Sequence, residues 1–539
     1  MKTYISITII LLSALSSPGQ SSFEWANVCG NPYYSETKSL LDADADGNVL
    51  MAGNFIDTAY FGDEHVISLG ETDIFLAKYD PQGELIWLIG DGGIDYDYMQ
   101  GISVYQDGAY ALLSFYGTTR LGGETYSSSG SQDIVIAHYD TEGNYRWSRH
   151  IGSPKTDYAN AVDTDADGNL IVTGHFYDSI AFPDTTVYSI ASSDIFLASF
   201  NPAGDLLWIK TMGGSSTDQS YSLSCDDDVN IILTGSFFDD IQIGDTMLTT
   251  TAPTGVFVAN YSYAGDFQFA WQIDGNGLLA QSFASFDGNG NILHAGNFTD
   301  QVNLGQYQFN AGPFNIDIFI TKYDAEGNLL WADHGHSAGS DQLISIDVGP
   351  DNKLYLTGHY LDSIQFGNVG LAYSLCCGSA EIFIVKYSED GTAIWGRQIS
   401  GVTALVEDMC KNIDDKLFLT GMFNGELTLG NLKIYSNGYF SNYLTGMNTD
   451  LPSSVESHPD EAGIRLSPNP AVSYLMIDPP QQNTLYSYKI FDAAGKTSLE
   501  GKLSGSTRVN VSALSEGIHF LQLTSDKTYR KLEKFIVKR

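Results

Sequence analysis

Residues 73–87, DIFLAKYDPQGELIW, carry an apolar run, a glycine-containing turn and a second apolar run that ends in tryptophan. Copies of this unit return as DIVIAHYDTEGNYRW, DIFLASFNPAGDLLW, DIFITKYDAEGNLLW and EIFIVKYSEDGTAIW, with a looser copy at 255–271. Short runs rich in β-branched and aromatic residues, bounded by turns with glycine, are typical of strands. Each unit is therefore predicted to be a β-hairpin.

The tryptophans mark the period of the repeat. Successive tryptophans are 62, 60, 61, 63, 60 and 64 residues apart, and all seven belong to the pattern: Trp25, Trp87, Trp147, Trp208, Trp271, Trp331 and Trp395. A period near 60 that contains strands and turns without helical periodicity indicates a radial array of small sheets. The predicted fold is all-β, a β-propeller.

The first complete repeat is predicted to hold four strands, at 36–42, 48–55, 73–80 and 84–90. The turn DADGNV joins the first two, since Asp-Gly and Gly-Asn supply positive φ angles. Every second strand ends in a small residue, any residue and an aromatic, and this pattern occurs seven times, with glycine as the small residue in six. We therefore predict seven blades, with a neighbouring backbone close to each glycine.

The two ends of the repeat region are incomplete. The last repeat stops at 441–448 without a tryptophan strand, while the first tryptophan strand, 23–30, has no repeat before it. We predict that this N-terminal strand completes the last blade and closes a propeller over 23–448, which leaves no exposed edge. The alternative is that each unit begins with its tryptophan strand and the ring closes without exchange.

The segments DADGNVLMAGNF, DIFLAKYDPQGELIW and GDGGIDYD cover one whole period and resemble the bacterial seven-bladed β-propeller repeat family. The resemblance spans roughly residues 23–448. The second repeat departs from the pattern, because VYQDGAYALLSFYG lacks the asparagine and the glycine. The resemblance implies a structural and binding scaffold and carries over no catalytic residue.

The flanking segments indicate export. Residues 1–20 carry an early lysine, an apolar run and small residues, the layout of a secretory signal peptide. That run is too short to span a membrane, and no later segment reaches 18 apolar residues, so we expect no transmembrane segment after signal removal. Residues 449–463, TDLPSSVESHPDEAG, are polar and contain proline, which is typical of a linker.

Residues 464–539 contain short alternating strands with frequent turns and are predicted to form a small β-sandwich. The segments LSPNP, YKIFDAAGK and LSEGIHF and the basic end KFIVKR resemble the type IX secretion (Por system) C-terminal sorting domain. This resemblance implies a Bacteroidetes-type cell, contact with the type IX secretion machinery, and passage through the periplasm and outer membrane to the cell surface or medium.

Charge separates the two parts of the chain. Up to residue 459 there are 15 Lys and Arg against 57 Asp and Glu, whereas residues 460–539 carry 11 against 8, for a total of −39. Such an acidic body repels phosphate backbones, so we expect no nucleic-acid partner, and it attracts divalent cations.

Two DxDxDG triplets could hold Ca²⁺. The spacing places three carboxylates around a cation, and the residues are Asp42, Asp44, Asp46, Asp163, Asp165 and Asp167. A calcium loop of the EF-hand type ends in a glutamate at its twelfth position, which is glycine in both triplets. The same place in the other repeats is a hairpin turn, so a structural role is favoured, and calcium is the only cofactor that we expect, if any.

A further set of acids follows the linker between repeats: Asp97, Asp157, Asp218, Asp341 and Asp408. These carboxylates could ring one mouth of the central channel and bind a cation or a sugar. They could equally cap turns by accepting backbone N–H bonds, which is favoured.

The pentapeptide at 335–339, GHSAG, has the form of a nucleophile elbow. No helix is predicted after it, so we interpret it as a chance match.

No catalytic constellation emerges from the sequence. We predict a secreted or cell-surface binding or adhesion protein with an unknown extracellular protein or glycan as its ligand. The alternative is an extracellular polysaccharide lyase or glycosidase that uses carboxylates at the channel mouth, and its sign would be two acids and a His or Tyr on one mouth.

Overall fold

A computed structural model describes residues 23–30, 38–226, 229–277, 279–373, 380–436, 440–449, 465–467, 473–478, 486–492, 496–525 and 530–538. One compact unit spans Gln20–Asp450 and a second contains Leu451–Arg539. The predicted signal peptide lies outside the described residues, as does the predicted linker except for Thr449.

Regular structure in the described residues consists of strands, and none of it is a helix that could cross a membrane. The first unit contains β1 Phe23–Gly30, β2 Ser39–Ala43, β3 Val49–Phe61, β4 Glu64–Tyr79, β5 Leu85–Asp91, β6 Asp97–Tyr105, β7 Gly108–Leu121, β8 Glu124–Asp140, β9 Tyr145–Ile151, β10 Asp157–Thr164, β11 Leu170–Phe182, β12 Thr185–Phe200, β13 Leu206–Met212, β14 Asp218–Cys225, β15 Asn230–Phe237, β16 Asp240–Ile243, β17 Thr246–Thr249, β18 Gly255–Ser262, β19 Phe267–Gly275, β20 Leu279–Phe286, β21 Ile292–Leu304, β22 Tyr307–Tyr323, β23 Leu329–His336, β24 Asp341–Val348, β25 Leu354–Tyr360, β26 Ile364–Phe366, β27 Val369–Leu371, β28 Glu381–Tyr387, β29 Ala393–Lys411, β30 Lys416–Leu429, β31 Leu432–Tyr435 and β32 Ser441–Asn448.

The sheets follow the sequence repeat. Repeats 1 to 7 begin with β2, β6, β10, β14, β20, β24 and the second half of β29, and each repeat is an antiparallel meander. Repeats 2 and 3 are separate four-stranded sheets, β6-β7-β8-β9 and β10-β11-β12-β13. The other repeats are joined edge to edge into a 12-stranded and a 10-stranded sheet. None of these described sheets closes on itself.

The second and third strands of repeat 1 are longer than predicted. Residues 56–72, which lie between the predicted strands, continue as a hairpin arm in which Thr58 pairs with Ile67. The arm leaves the sheet at a bulge where Asp57 has a φ of 59°. Five other repeats have a left-handed residue at this place: Gly117, Asp178, Asp239, Asp300 and Gly425. Asp and Gly tolerate this conformation, so the bend recurs.

The tryptophans join neighbouring repeats. The indole Nε1 of Trp87 donates a hydrogen bond to the carbonyl oxygen of Thr141, at 3.0 Å, in the turn of the next repeat. A Cβ on Gly143 in that turn would lie 3.0 Å from the Trp87 ring. The same tryptophan and glycine meet in five more pairs: Trp25 and Gly83, Trp147 and Gly204, Trp208 and Gly265, Trp271 and Gly327, and Trp331 and Gly391. The 60-residue spacing therefore reflects contact between successive repeats.

The N-terminal strand belongs to the last repeat, as predicted. Strand β1 pairs antiparallel with β32 along its length, with Asn27 opposite Leu444. Trp25 on β1 donates to the carbonyl oxygen of Pro81 in repeat 1, at 3.1 Å. Cys29, Phe55 and Phe418 are buried in one apolar cluster that combines the first and last repeats. The two ends of the repeat region are thus packed together.

The C-terminal unit is also all-β. Its strands are β33 Arg465–Ser467, β34 Tyr474–Asp478, β35 Tyr486–Asp492, β36 Thr497–Leu503, β37 Thr507–Asn510, β38 Gly517–Ser525 and β39 Arg530–Val537. They form one sheet of order β33-β34-β37 and another of order β36-β35-β38-β39. Leu475 of the first sheet and Ile490 and Leu521 of the second are fully buried in one cluster, so the two sheets share a core.

Candidate functional site

A cavity of about 630 Å³ is lined by residues from all seven repeats. The lining comes mainly from the first strand of each repeat and includes Lys38, Gln100, Asn160, Tyr221, Gln281, Ile344 and Glu407, one from each repeat in order. Concave sites of this size with a few convergent polar groups are typical ligand pockets. This cavity is the candidate functional site.

A β-bulge places the lining residue in most repeats. The pairing of β6 with β7 shifts between Met99 and Gly101, so that Gln100 is the extra residue. Equivalent shifts leave Asn160, Tyr221 with Ser222, Gln281, Ile344 and Glu407 as the extra residues. A bulge leaves its extra residue unpaired and re-aims the side chain, and bulges are enriched beside active sites.

The recurring glycine of the second strand fits against this bulge. A Cβ on Gly174 would lie 2.0 Å from the carbonyl oxygen of Tyr158. The distance is again 2.0 Å for Gly358 and the carbonyl oxygen of Gln342. The predicted close backbone is therefore confirmed, and it is the first strand of the same repeat.

Amide and hydroxyl groups dominate the polar part of the cavity. The carboxamides of Gln100 and Gln281 can both donate and accept hydrogen bonds. Asn160 Oδ1 already lies 2.9 Å from His175 Nδ1, so Asn160 offers mainly its NH₂ group. Gln281 has a φ of 38°, a conformation rare for a residue with a side chain and often found at functional sites. The Tyr221 hydroxyl lies 2.8 Å from Ser236 Oγ. A neutral polar ligand would find many partners here.

Four acidic or basic side chains also line the cavity: Lys38, His359, Glu407 and Asp408. Lys38 Nζ donates to the carbonyl oxygen of Gln100, at 3.2 Å. Burial lowers the pKa of Lys38, although the charges of Asp408 and Glu407 oppose the shift. Burial also raises the pKa of Glu407 to about 7, while hydrogen bonds from Ser39 oppose the shift. Glu407 therefore changes charge near neutral pH.

Carboxylates beside the cavity connect the first strands of neighbouring repeats. Asp42 Oδ2 accepts a hydrogen bond from the N–H of Val104, 2.7 Å away, in the next repeat. Asp163 does the same for Cys225, at 2.8 Å. Both oxygens of Asp42 and of Asp163 thus accept hydrogen bonds from backbone N–H groups.

The middle aspartate of each calcium triplet stabilises its hairpin turn. Asp44 accepts hydrogen bonds from the N–H groups of Asp46 and Asn48. It also forms an ion pair with Lys78, in which Nζ lies 2.8 Å from Oδ2. Asp165 accepts from the N–H groups of Asp167 and Asn169. Asp46 and Asp167 are exposed. Within the described ranges, no group of three His, Cys, Asp or Glu side chains is placed to hold a metal ion.

The structure does not place four of the five predicted channel acids at the cavity. Asp97, Asp157, Asp218 and Asp341 are the first residues of β6, β10, β14 and β24 and are at most 1% exposed. Asp97 accepts from the N–H of Gly93, at 2.7 Å, and Asp218 from that of Gly214, at 2.9 Å. These carboxylates lie under the loops that enter the strands, which is why they do not reach the cavity.

Asp408 does line the cavity, but it is not equivalent to the other four. In repeat 7 the position that corresponds to Asp341 is Ala404, since Ala404 pairs with Phe423 as Asp341 pairs with Tyr360. Asp408 therefore lies four positions beyond the residue equivalent to Asp341.

The GHSAG segment spans the end of β23 and the loop before β24. Ser337 Oγ donates a hydrogen bond to Asp341 Oδ1, at 3.0 Å. A strand and not a helix follows the segment, so the geometry of a nucleophile elbow is missing.

These features define an all-β repeat protein with a separate C-terminal unit. A family model described as a secretion system C-terminal sorting domain matches residues 465–538. This domain directs export by type IX secretion to the cell surface or extracellular space and implies an interaction with that machinery.

Two curated proteins are similar to parts of this chain. An uncharacterized WD repeat-containing protein, L264, of Acanthamoeba polyphaga mimivirus is 25% identical over 387 residues, which cover 58% of this chain and 28% of that protein. The regulatory protein FlaEY of Caulobacter vibrioides is 27% identical over 180 residues, covering 30% of this chain and 19% of its own length. The chain thus spans less than a third of either relative.

Among solved structures, a member of the DUF4221 family from Bacteroides vulgatus is 12% identical, with a TM-score of 0.30, over 65% of this chain and 91% of that one.

Proposed function

We propose that the chain is an exported binding protein of the seven-bladed β-propeller type, whose central cavity binds a glycan. The pairing of β1 with β32 supports ring closure, because the first and last repeats then share a sheet. The lining of one cavity by all seven repeats supports it further. A glycan ligand is one specific form of the binding role that the resemblance to the repeat family implies.

The observation that carries the ligand class is the set of bulge amides. Gln100, Asn160 and Gln281 come from three different repeats and line one cavity. Sugar hydroxyls both donate and accept hydrogen bonds, and carboxamides can satisfy both roles. The opposite charges of Lys38 and Glu407 act on each other's pKa, so we infer an uncharged polar ligand.

A protein ligand is a weaker candidate for this cavity. Stable protein–protein interfaces bury about 800 Å² on each partner and use a broad surface. A concave site of about 630 Å³ suits a small group such as one end of a glycan chain.

The test is a glycan array probed with the exported protein, followed by calorimetry on the best binder. Gln100→Ala and Asn160→Ala should each weaken binding about tenfold, since each removes about 1–1.5 kcal/mol of hydrogen bonding. Gln268→Ala is the matched control, because Gln268 is an exposed amide on β19. Equal affinity for all variants would place the ligand elsewhere.

Carbohydrate cleavage is the second candidate function. Its supporting observation is Glu407, a cavity carboxyl with a pKa of about 7. A histidine, His359, also lines the cavity, and its Nε2 accepts a hydrogen bond from the N–H of Val406. A carboxyl that is partly protonated at neutral pH can serve as a general acid. Asp408 is a poor partner for it, because its oxygens accept from Leu41, Met409 and Ser345.

Glu407→Gln separates the two candidates. If the protein cleaves the glycan it binds, this variant should lose turnover and keep its affinity. If the protein only binds, no product will form with either chain, and the enzyme proposal then fails.

A further inference from the structure

Buried aspartates occur in pairs where one repeat meets the next. One member begins the buried part of a third strand and the other begins the following first strand: Asp73 and Asp97, Asp133 and Asp157, Asp194 and Asp218, and Asp317 and Asp341. All eight side chains are at most 2% exposed. Burying two carboxylates together is costly unless their charge is balanced.

Contacts between the two strand starts are seen most clearly at the pair Asp194 and Asp218. Ser193 forms a parallel bridge to Thr217, and Ser193 Oγ donates to the carbonyl oxygen of Asp218, at 3.3 Å. These contacts bring the starts of the two strands side by side. A Cβ on Gly213 would lie 2.1 Å from Asp194 Cγ, so the connecting loop closes directly over the carboxyl group.

Each carboxylate of this pair uses only one oxygen in hydrogen bonds. Asp194 Oδ2 accepts from the N–H of Ile190, and Asp218 Oδ2 from that of Gly214, both at 2.9 Å. The Oδ1 atoms of both residues are buried and have no hydrogen-bond partner. The same holds for one oxygen in each member of two other pairs, Asp73 with Asp97 and Asp317 with Asp341. These oxygens are free to coordinate.

The other two junctions that can be compared lack the pair of acids. Where repeat 4 meets repeat 5, the corresponding positions are Gly255 and Leu279, so both acids are absent together. Where repeat 6 meets repeat 7, the corresponding positions are Glu381 and Ala404. Glu381 accepts hydrogen bonds from the hydroxyls of Tyr360 and Ser400. The single acid Glu381 thus receives two hydroxyl donors, whereas Asp341 of the paired acids receives one, from Ser337.

The remaining pair has a histidine as its hydrogen-bond partner. His150 Nε2 lies 2.7 Å from Asp133 Oδ2. In the described part of the chain, no Lys, Arg or His forms an ion pair with the other three pairs. Those three pairs need an external charge, either protons or a cation.

We propose that the pairs Asp73 and Asp97, Asp194 and Asp218, and Asp317 and Asp341 each bind one calcium ion between adjacent repeats. Ca²⁺ prefers oxygen ligands and accepts irregular geometry, and two carboxylates neutralise it. The two carboxylates supply only part of the shell and the remaining ligands would be backbone carbonyls and water, so the expected affinity is that of extracellular modules, about 10⁻⁴–10⁻³ M. The net charge of −39 raises the local cation concentration. The inference is independent of the glycan proposal.

The test is calcium titration of the exported full-length protein at pH 7.5 after treatment with chelator. Wild type should bind three Ca²⁺, and D194N/D218N should bind two, with a smaller rise in Tm on adding 5 mM CaCl₂. Asp46→Ala and Asp167→Ala are the controls and should still bind three, because they alter only the DxDxDG triplets.

If D194N/D218N does not fold, D194G/D218L reproduces the residues found between repeats 4 and 5 and serves as the second variant. Absence of any calcium effect on wild type, with a Tm that rises only as the pH falls, would show pairs that share a proton and would overturn the proposal. Equal stoichiometry in wild type and both pair variants would overturn it as well.

Discussion

The carboxylate of Asp408 accepts a hydrogen bond from the backbone N–H of Leu41 at 2.9 Å, across 367 positions of sequence. The bond joins the first strand of repeat 7 to that of repeat 1. It has the same form as the bond from Val104 to Asp42 between repeats 1 and 2. The contact between repeats 7 and 1 therefore has the same form as the contact between repeats 1 and 2.

Asp408→Ala should destabilise the repeat region. The substitution leaves the N–H of Leu41 and the hydroxyl of Ser345 without their acceptor, at about 1–3 kcal/mol for each buried donor that stays unpaired. Chemical denaturation should show this loss, whereas Asp63→Ala, at an exposed turn between β3 and β4, should have little effect. Equal midpoints for the two variants would contradict the structural role.

Removal of the N-terminal strand should expose an edge. A chain that begins at Pro32 lacks β1, so β32 loses its partner and Trp25 no longer contacts the turn at Pro81. Unpaired edges promote aggregation. Light scattering and Tm should therefore differ from a chain that begins at Ser22, and identical values would argue for closure without exchange.

Gly174→Ala should be strongly destabilising. Its new Cβ would lie 2.0 Å from a backbone carbonyl oxygen of the bulged strand, which cannot move as a flexible side chain could. The expected loss is about 3 kcal/mol or more, by analogy with overpacked cores. Gly339→Ala is the control, since its Cβ would have no neighbour closer than 3.3 Å. Similar thermal shifts for both would show that the backbones can separate.

Stability without divalent cations should fall as the pH rises. Burial raises the pKa of Asp218 to about 8, despite the hydrogen bond from Gly214, and the charges of Asp194 and Asp240 raise it further. A carboxyl with a raised pKa binds more protons when folded, so its contribution is complete below about pH 4 and is lost towards pH 8. Denaturation in chelator from pH 4 to 8 should show this slope, and Asp218→Asn should reduce it.

Deletion of residues 464–539 should retain the protein in the periplasm. The matched sorting domain lies within this segment, and the repeat region forms its own compact unit. Fractionation of a type IX-competent host measures the distribution. Export of the shortened chain, or failure of its repeat region to fold, would contradict the prediction.

Patterns that reflect contacts between repeats could be predicted from sequence. Trp87 and Gly143 stand 56 positions apart, and the same pairing returns with each period because each repeat packs on the next. The glycine of the second strand, such as Gly174, was likewise informative because only glycine fits beside the bulge.

The cavity residues could not be predicted in the same way. Gln100 and Asn160 reach the cavity through a register shift, and alternation of apolar and polar residues does not show where a strand gains a residue. One signal was present: each follows the buried aspartate by three positions, as Tyr221 does. Asp408 was misplaced because β29 continues from repeat 6 into repeat 7 without a loop that marks the boundary.

The pairing of β1 with β32 also sets an order of events during biosynthesis. Strand β1 leaves the ribosome first, yet the strand it pairs with ends at Asn448. The six preceding repeats can pack in sequence, but the last sheet stays unfinished until nearly the whole repeat region has been synthesised. Until then β1 lacks its partner β32, so a chaperone that binds unpaired strands would have β1 as a target.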